Sequence, residues 1–477
     1  MMIHVDHSKV RDETSTWWAD QILPSLEGLV RIPALSPAFD PAWQASGQLD
    51  AAVAHVGEWI DSRAFPGVRS EVVQLPGRSP LLIAEVPATA GAQDRGTVLM
   101  YGHLDKQPPG GEWSPGLGPW LPARDGDRLY GRGVVDDGYS GYAAVASLAA
   151  VEAAGGQHAR TILLLETSEE SGSPDLPAYI DHLADRLGEV TLVVCLDAGG
   201  GGRDTLWLTS SLRGGLNFTV TVRVLDTPQH SGVAGGIVPS SFRIMRQLLD
   251  RLEDPATGEV LIDAMHVPIP DVRRVEAAAT AAARPGVMSR MFPLVSGMRA
   301  ASDDETELIL NNSWRPTLSV LGAAGLPEPA VAGNVLRTET TLVLSFRLPP
   351  TADPRAAREA VEKILTTDVP YGARVELGGW RMLSGWDAPP AAPWLSEVLG
   401  QVGDQVFGKE CQTIGSGGGI PFLELLGRRY PQAQFLSTGA CASDSNMHAP
   451  DEWLDIPFAE KVTEAVGYVL DGHARAR

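Results

Sequence analysis

Thiols and positive charge are both scarce in this chain. Cys195, Cys411 and Cys441 are its three cysteines, widely separated in 477 residues, so there is no disulfide framework and no cysteine pair for a thiolate-bound ion. No segment approaches the length and continuous apolarity of a membrane span, and Met1-Met-Ile-His-Val-Asp-His-Ser8 shows no basic region followed by an apolar stretch. The expected compartment is therefore the cytoplasm, with no membrane partner. Lysine and arginine number 38 against 59 aspartates and glutamates, a formal net charge of −21, which disfavours nonspecific nucleic-acid binding. An oxygen-rich calcium loop and internal repeats are also missing.

What the chain does have is imidazoles and carboxylates at the ends of apolar runs. Tyr101-Gly-His-Leu-Asp105 closes the run that begins at Thr97, and a strand's period of two lets His103 and Asp105 share one face, where the carboxylate can ligate or orient the imidazole. Four further groups follow: Gly131-Arg-Gly-Val-Val-Asp-Asp137, Leu165-Glu-Thr-Ser-Glu-Glu-Ser171, Cys195-Leu-Asp197 and Ser443-Asp-Ser-Asn-Met-His448. Each sits at or just beyond a hydrophobic run, as expected when the carboxyl ends of sheet strands deliver side chains into one crevice. Mixed histidine and carboxylate ligands suit zinc, and also manganese or cobalt. Taken singly, His103 could be structural and Glu169-Glu170 a charge pair at a helix start.

In order and separation, His103-x-Asp105, Gly133-x-x-Asp136-Asp137, Glu169-Glu170, Asp197, His230 and His448 resemble the di-metal family of aminoacylases, carboxypeptidases and carnosine or nonspecific dipeptidases over nearly the whole chain. The resemblance implies two divalent metal ions, most simply Zn2+. His103, Asp136 and Asp197 would hold one ion and Asp136, Glu170 and His448 the other, with Asp136 bridging. It implies that Asp105 holds His103, that Glu169 is the general base, and that the Asp136-Asp137 bond is cis. His230, in Asp226-Thr-Pro-Gln-His-Ser-Gly-Val-Ala-Gly-Gly236, resembles a histidine that contacts the oxyanion from the other subunit of a homodimer. Arg347, in Leu344-Ser-Phe-Arg-Leu348, occupies the place of an arginine that takes the substrate carboxylate, with Asn334 a further substrate-binding candidate.

One stretch departs from that pattern. Where relatives often carry Arg-Glu-Gly-Gly-Ser-Ile-Pro, this chain has Gly415-Ser-Gly-Gly-Gly-Ile-Pro421, which keeps exposed amide donors at Gly417, Gly418 and Gly419 but removes two side-chain contacts. It could equally be a plain strand-to-helix turn. The implied function is metal-dependent hydrolysis of dipeptides or short peptides; the alternative is an amidohydrolase acting on N-acyl or N-carbamoyl amino acids with the same site.

The fold class expected is α/β: a catalytic domain with a mixed central sheet flanked by helices, and an inserted α+β domain that resembles the family's lid and dimerisation domain. Its boundaries are read as 1–207 and 389–477 for the catalytic domain and 208–388 for the insertion. In the first part, Trp17 to Val30 reads as a helix despite Pro24; Val68 to Val73, Leu81 to Val86, Thr97 to Tyr101, Thr161 to Glu166 and Leu192 to Leu196 read as strands; and Gly141 to Ala154 reads as a helix on the sheet. In the insertion, Leu216 to Val224, Thr340 to Leu348 and Ala373 to Leu377 read as strands, and Ser240 to Arg251 and Pro354 to Leu365 as helices. Asp254 to Asn312 reads as an irregular or helical excursion. Pro389-Pro-Ala-Ala-Pro-Trp394 marks the return.

Overall fold

The computed structural model describes residues 5–62 and 67–476; Met1 to His4 of the amino-terminal reading lie outside the described residues. The chain divides into two units. One comprises the chain up to Thr209 with Ala388–Ile414 and everything from Leu425, the other Ser210–Asp387 with Gly415–Glu424.

The first unit is built on a six-stranded sheet in the order Arg69–Val73, Leu81–Val86, Arg160–Glu166, Thr97–His103, Val190–Cys195 and Gln434–Ser437. The first two pairings are antiparallel and the remaining three parallel, so the sheet is mixed. Continuous runs such as Leu163-Leu-Leu165 and Leu192-Val-Val194 fit strands buried on both faces. Helix Ser140–Ala153 packs on the sheet through small residues, so closely that a Cβ on Gly141 would lie 2.7 Å from Leu165 Cδ1. The long helix Ile456–Arg475 packs in the same core, bringing Val462, Val466 and Val469 to it.

Helix formation at the amino end begins earlier than the sequence reading placed it. Helix His7–Trp17 runs through a wider turn at Trp18–Ile22 into Leu23–Val30. The Asp6 carboxylate caps it, accepting from the amides of Ser8 and Lys9 at 3.0 and 3.3 Å. Pro24 is tolerated because it falls in the first turn of the last segment.

The second unit holds a four-stranded antiparallel sheet in the order Thr317–Ala324, Glu339–Leu348, Gly214–Arg223 and Arg374–Leu383. Residues of Gly214–Arg223 are alternately buried and half-buried. The buried set, with Phe218 and Phe346 among it, packs with Ile244, Met245 and Leu248 of helix Ser241–Leu249 and with Ala357, Val361 and Leu365 of helix Pro354–Thr366. Strand Thr317–Ala324 has no counterpart in the sequence reading, because Gly322, Ala323 and Ala324 carry little β signal. The excursion contains two helices, Asp271–Ala283 and Glu305–Ser313, whose Ala277, Ile309 and Leu310 cluster with Trp314.

Gly415–Glu424 differs from the expected unbroken return after residue 389, because it packs in the second unit. The Arg213 amide donates to Ser416 O at 3.2 Å. A Cβ on Gly415 would come within 2.6 Å of Ser211 Oγ and Ser313 Cβ, so glycine permits this close approach.

Candidate metal centre

Three strand ends and two loops of the first unit bring the acidic and imidazole residues together. His103 ends its strand, Glu169 and Glu170 follow Arg160–Glu166 in a single 3-10 turn, and Asp197 follows Val190–Cys195. Asp136 and Asp137 lie in the turn after Gly133, and the bond between them is cis. His448 adopts a left-handed backbone conformation, φ 61°.

Asp136 stands between the two imidazoles. Its Oδ1 is 3.2 Å from His103 Nε2 and its Oδ2 is 2.8 Å from His448 Nε2. His448 Nε2 is also 3.3 Å from Glu170 Oε2, and His103 Nε2 is 3.8 Å from Asp197 Oδ2. Ligand atoms of His103, Asp136 and Glu170 all lie within 4.8 Å of one another, as do those of His103, Glu169 and Asp197. These groupings cut across the two ligand sets that the family resemblance implies, since His103 belongs to both and His448 to neither.

Asp105 is nearly fully buried and does more than face an imidazole. His103 Nδ1 is 3.0 Å from the Asp105 carbonyl oxygen and 3.4 Å from its Oδ1. The two carboxylate oxygens accept from the amides of Glu169 and Glu170 at 3.2 and 3.0 Å. One side chain thus fixes both the histidine and the turn that carries two acids.

The turn bearing Asp136 has its own buried support. Glu452 accepts from the amides of Gly133 and Val135 at 3.1 and 3.2 Å and from Arg132 Nη1 at 2.6 Å. Sequence reasoning missed this pair, because its members are 320 residues apart.

The electrostatics of the cluster call for positive charge. Burial disfavours ionised Asp136, but hydrogen bonds from His103 and His448 hold it well below the usual carboxylate range. Burial, reinforced by Asp136 and Asp137, pushes Asp197 far up. Burial also raises Glu169 strongly; the positive charge of His103 opposes the shift and Glu170 adds to it. Burial raises Asp137 to about 8. Glu170 Oε1 and Asp137 Oδ1 are buried without a hydrogen-bond partner among the described residues. Several acids packed this closely, with free acceptor atoms and two imidazoles, fit a divalent-cation site.

A model of peptidase family M20/M25/M40 matches residues 99–471. The chain belongs to this family. Among curated relatives, the peptidase is 26% identical to the cysteinylglycine-S-conjugate dipeptidase of Corynebacterium striatum, over 78% of this chain and 80% of that one. It is 25% identical to a Cys-Gly metallodipeptidase of Saccharomyces cerevisiae, over 91% of this chain and 92% of that one. Human carnosine dipeptidase 1 shares the fold at a TM-score of 0.72 and 22% identity, covering 98% of this chain and 99% of the other.

The remaining predicted site residues of the peptidase lie in the second unit. His230 is exposed, and its Nδ1 accepts from the Gly232 amide at 3.1 Å. Asn334 sits beside it, its carbonyl oxygen accepting from the Ser231 amide at 2.9 Å. Arg347 is exposed on strand Glu339–Leu348, opposite Gly215 and Thr317. Gly417, Gly418 and Gly419 form the loop before helix Pro421–Arg429, and the Gly418 amide donates to Ser416 Oγ at 3.2 Å. Among the described residues no helix is long and apolar enough to cross a membrane.

Proposed function

We propose that the protein is a metal-dependent dipeptidase, cleaving the peptide bond of dipeptides or short peptides with two divalent ions, most simply zinc, held by His103, Asp136, Asp197, Glu170 and His448. The observation that carries this reading is Asp136 set between two imidazoles, with Glu169 close by on a turn that Asp105 fixes. The names of the relatives support the substrate class, since two of them are dipeptidases for Cys-Gly or its S-conjugates.

Two bound cations would lower the pKa of a shared water and polarise the scissile carbonyl. Glu169 takes the proton of the attacking water and delivers it to the leaving nitrogen. Its raised affinity for protons, which comes from burial, suits both halves of that task. Asp105 keeps Glu169 and His103 in register. His230, supplied across the interface of a homodimer, donates to the negative charge that develops on the carbonyl oxygen. Its exposure, with no acidic partner among the described residues, suits such a role. Arg347 takes the substrate carboxylate as a charge-assisted pair, with Asn334 and the amides of Gly417, Gly418 and Gly419 completing the recognition surface.

Protein stripped of metal and reconstituted separately with zinc, manganese or cobalt, tested on matched dipeptides and N-acyl amino acids, separates the two chemistries. Metal-dependent release of free amino acids from dipeptides, reduced about 100- to 10,000-fold in Glu169→Gln, is the expected result. Turnover confined to acetyl or carbamoyl substrates would make the protein an amidohydrolase instead.

A further inference from the structure

The second unit holds a buried cation that nothing in the reading above uses. Arg213 follows strand Trp207–Leu212 and is only 6% exposed. Its Nη1 donates to the carbonyl oxygens of Asn311 and Arg315, both at 3.4 Å, and to Thr317 Oγ1 at 3.2 Å. Its Nε is buried without a hydrogen-bond partner, and among the described residues no carboxylate pairs with this guanidinium. Burying a charge without a counter-charge is strongly unfavourable, so the arrangement asks for an anion.

A second guanidinium stands nearby. Thr317, which accepts from Arg213, lies directly opposite Arg347 on the neighbouring strand, where a pair of side chains shares one face. Burial, and then the charge of Arg347, push Arg213 down to about 10. Arg347 likewise has no carboxylate partner among the described residues.

Beside Arg213 is a cavity of about 270 Å³, lined by the polar Arg213, Asn312 and Thr317 and by the apolar Met288, Leu294 and Leu308. Gly417 places no side chain against the first two of these. A Cβ there would lie 2.8 Å from Asn312 Oδ1 and 3.0 Å from Arg213 Nη2, a nitrogen with no hydrogen-bond partner among the described residues. Glycine at 417, a position where the family pattern also carries glycine, therefore leaves these two groups uncovered.

We propose that this cavity is a subsite for a side-chain carboxylate. Arg213 and Asn312 hold the carboxylate of an aspartyl or glutamyl residue, the methylenes of that residue lie against Met288, Leu294 and Leu308, and Arg347 takes its α-carboxylate. The inference rests on the dipeptidase reading for the role of Arg347. Two separate cations and a short apolar wall match two carboxylates joined by methylenes better than a lone α-carboxylate.

Gly-Glu and Gly-Gln differ in charge but hardly in shape. We would compare their hydrolysis by the metal-loaded protein, and their binding to the Glu169→Gln protein by calorimetry. The expected preference for Gly-Glu is about tenfold or more in both kcat/KM and Kd, the size of a charge-assisted pair. Arg213→Met should bring that ratio to about one. So should Asn312→Asp, which adds a carboxylate to the lining of the same cavity while leaving the buried guanidinium in place. Equal affinity for the two dipeptides, or no affinity for either, overturns the subsite. A preference that persists in folded Asn312→Asp protein also overturns it. Absence of turnover with both dipeptides counts against the dipeptidase reading alone, because the binding ratio still decides the subsite.

Discussion

Strand Thr97–His103 of the first unit is buried along its whole length, whereas strand Gly214–Arg223 of the second has every other residue only half-buried. The charges they serve are also opposite: the first unit gathers carboxylates around Asp136, and the second leaves Arg213 and Arg347 without acidic partners among the described residues. A sheet covered on both faces holds its strand ends rigidly, so like charges can be set within a few ångströms of one another and wait for cations. A sheet with a helix layer on one face leaves the other free to present polar groups to a small ligand. Each unit therefore leaves charge of one sign poorly compensated, and a bound partner of the opposite charge would relieve it.

Asp136→Ala tests the acidic side most severely. It removes the carboxylate that both imidazoles approach, so both ions should be lost on metal analysis, and activity should fall further than in Glu169→Gln. Retention of both ions would mean that Asp136 is not the carboxylate that holds them.

Next in size is Arg132→Met. It leaves Glu452 buried among backbone amides without its counter-charge, and should cost about 3–5 kcal/mol in urea unfolding. Burial and the charge of Asp136 already push Glu452 up to about 7, against the pull of Arg132. The variant protein should therefore be most sensitive where Glu452 has to ionise, above neutral pH.

Burial, with a contribution from Arg95, pushes His473 down from 6.5 to about 4. Below pH 6.5 the unfolded chain binds a proton that the folded chain refuses, so stability falls as pH drops from 6.5 toward 4, by as much as about 3 kcal/mol. Replacing this histidine with a group that does not titrate, His473→Gln, should flatten that stretch of a denaturation-versus-pH profile.

The smallest expected effect, at Val320, comes from setting one sheet against the other. Leu164 is 0% exposed in the first sheet and Val320 is 53% exposed in the second. Leu164→Ala should cost about 2–5 kcal/mol and Val320→Ala less than about 0.5 kcal/mol. A larger, concentration-dependent cost at Val320 would sharpen the comparison differently, by showing that a second copy of the chain covers that face.

Much of this was legible because local rules agreed with the global fold. The period-two placement of His103 and Asp105, the apolar run Leu163-Leu-Leu165 before the acidic turn, and the change of texture after Trp207 are all properties of neighbouring residues. What escaped were relations over long separations. Asp105 reads as a partner for His103, yet its carboxylate also receives two amides from a turn 64 and 65 residues away. Arg213 reads as one more arginine, because the absence of a partner is a property of its surroundings. The amino-terminal helix was begun too late, because an Asp6 cap outweighs the polar texture of Ser8 to Glu13.

The sequence by itself determined the α/β class, the family and the order of the acidic and imidazole groups, since strand burial and short motifs depend on residues next to one another. Folding was needed to set Asp136 between His103 and His448, to pack Gly415–Glu424 with the second unit, and to bury Arg213 with no carboxylate partner among the described residues. Burial and pairing of charge are set by groups hundreds of residues away, and these meet only once the chain has closed around them.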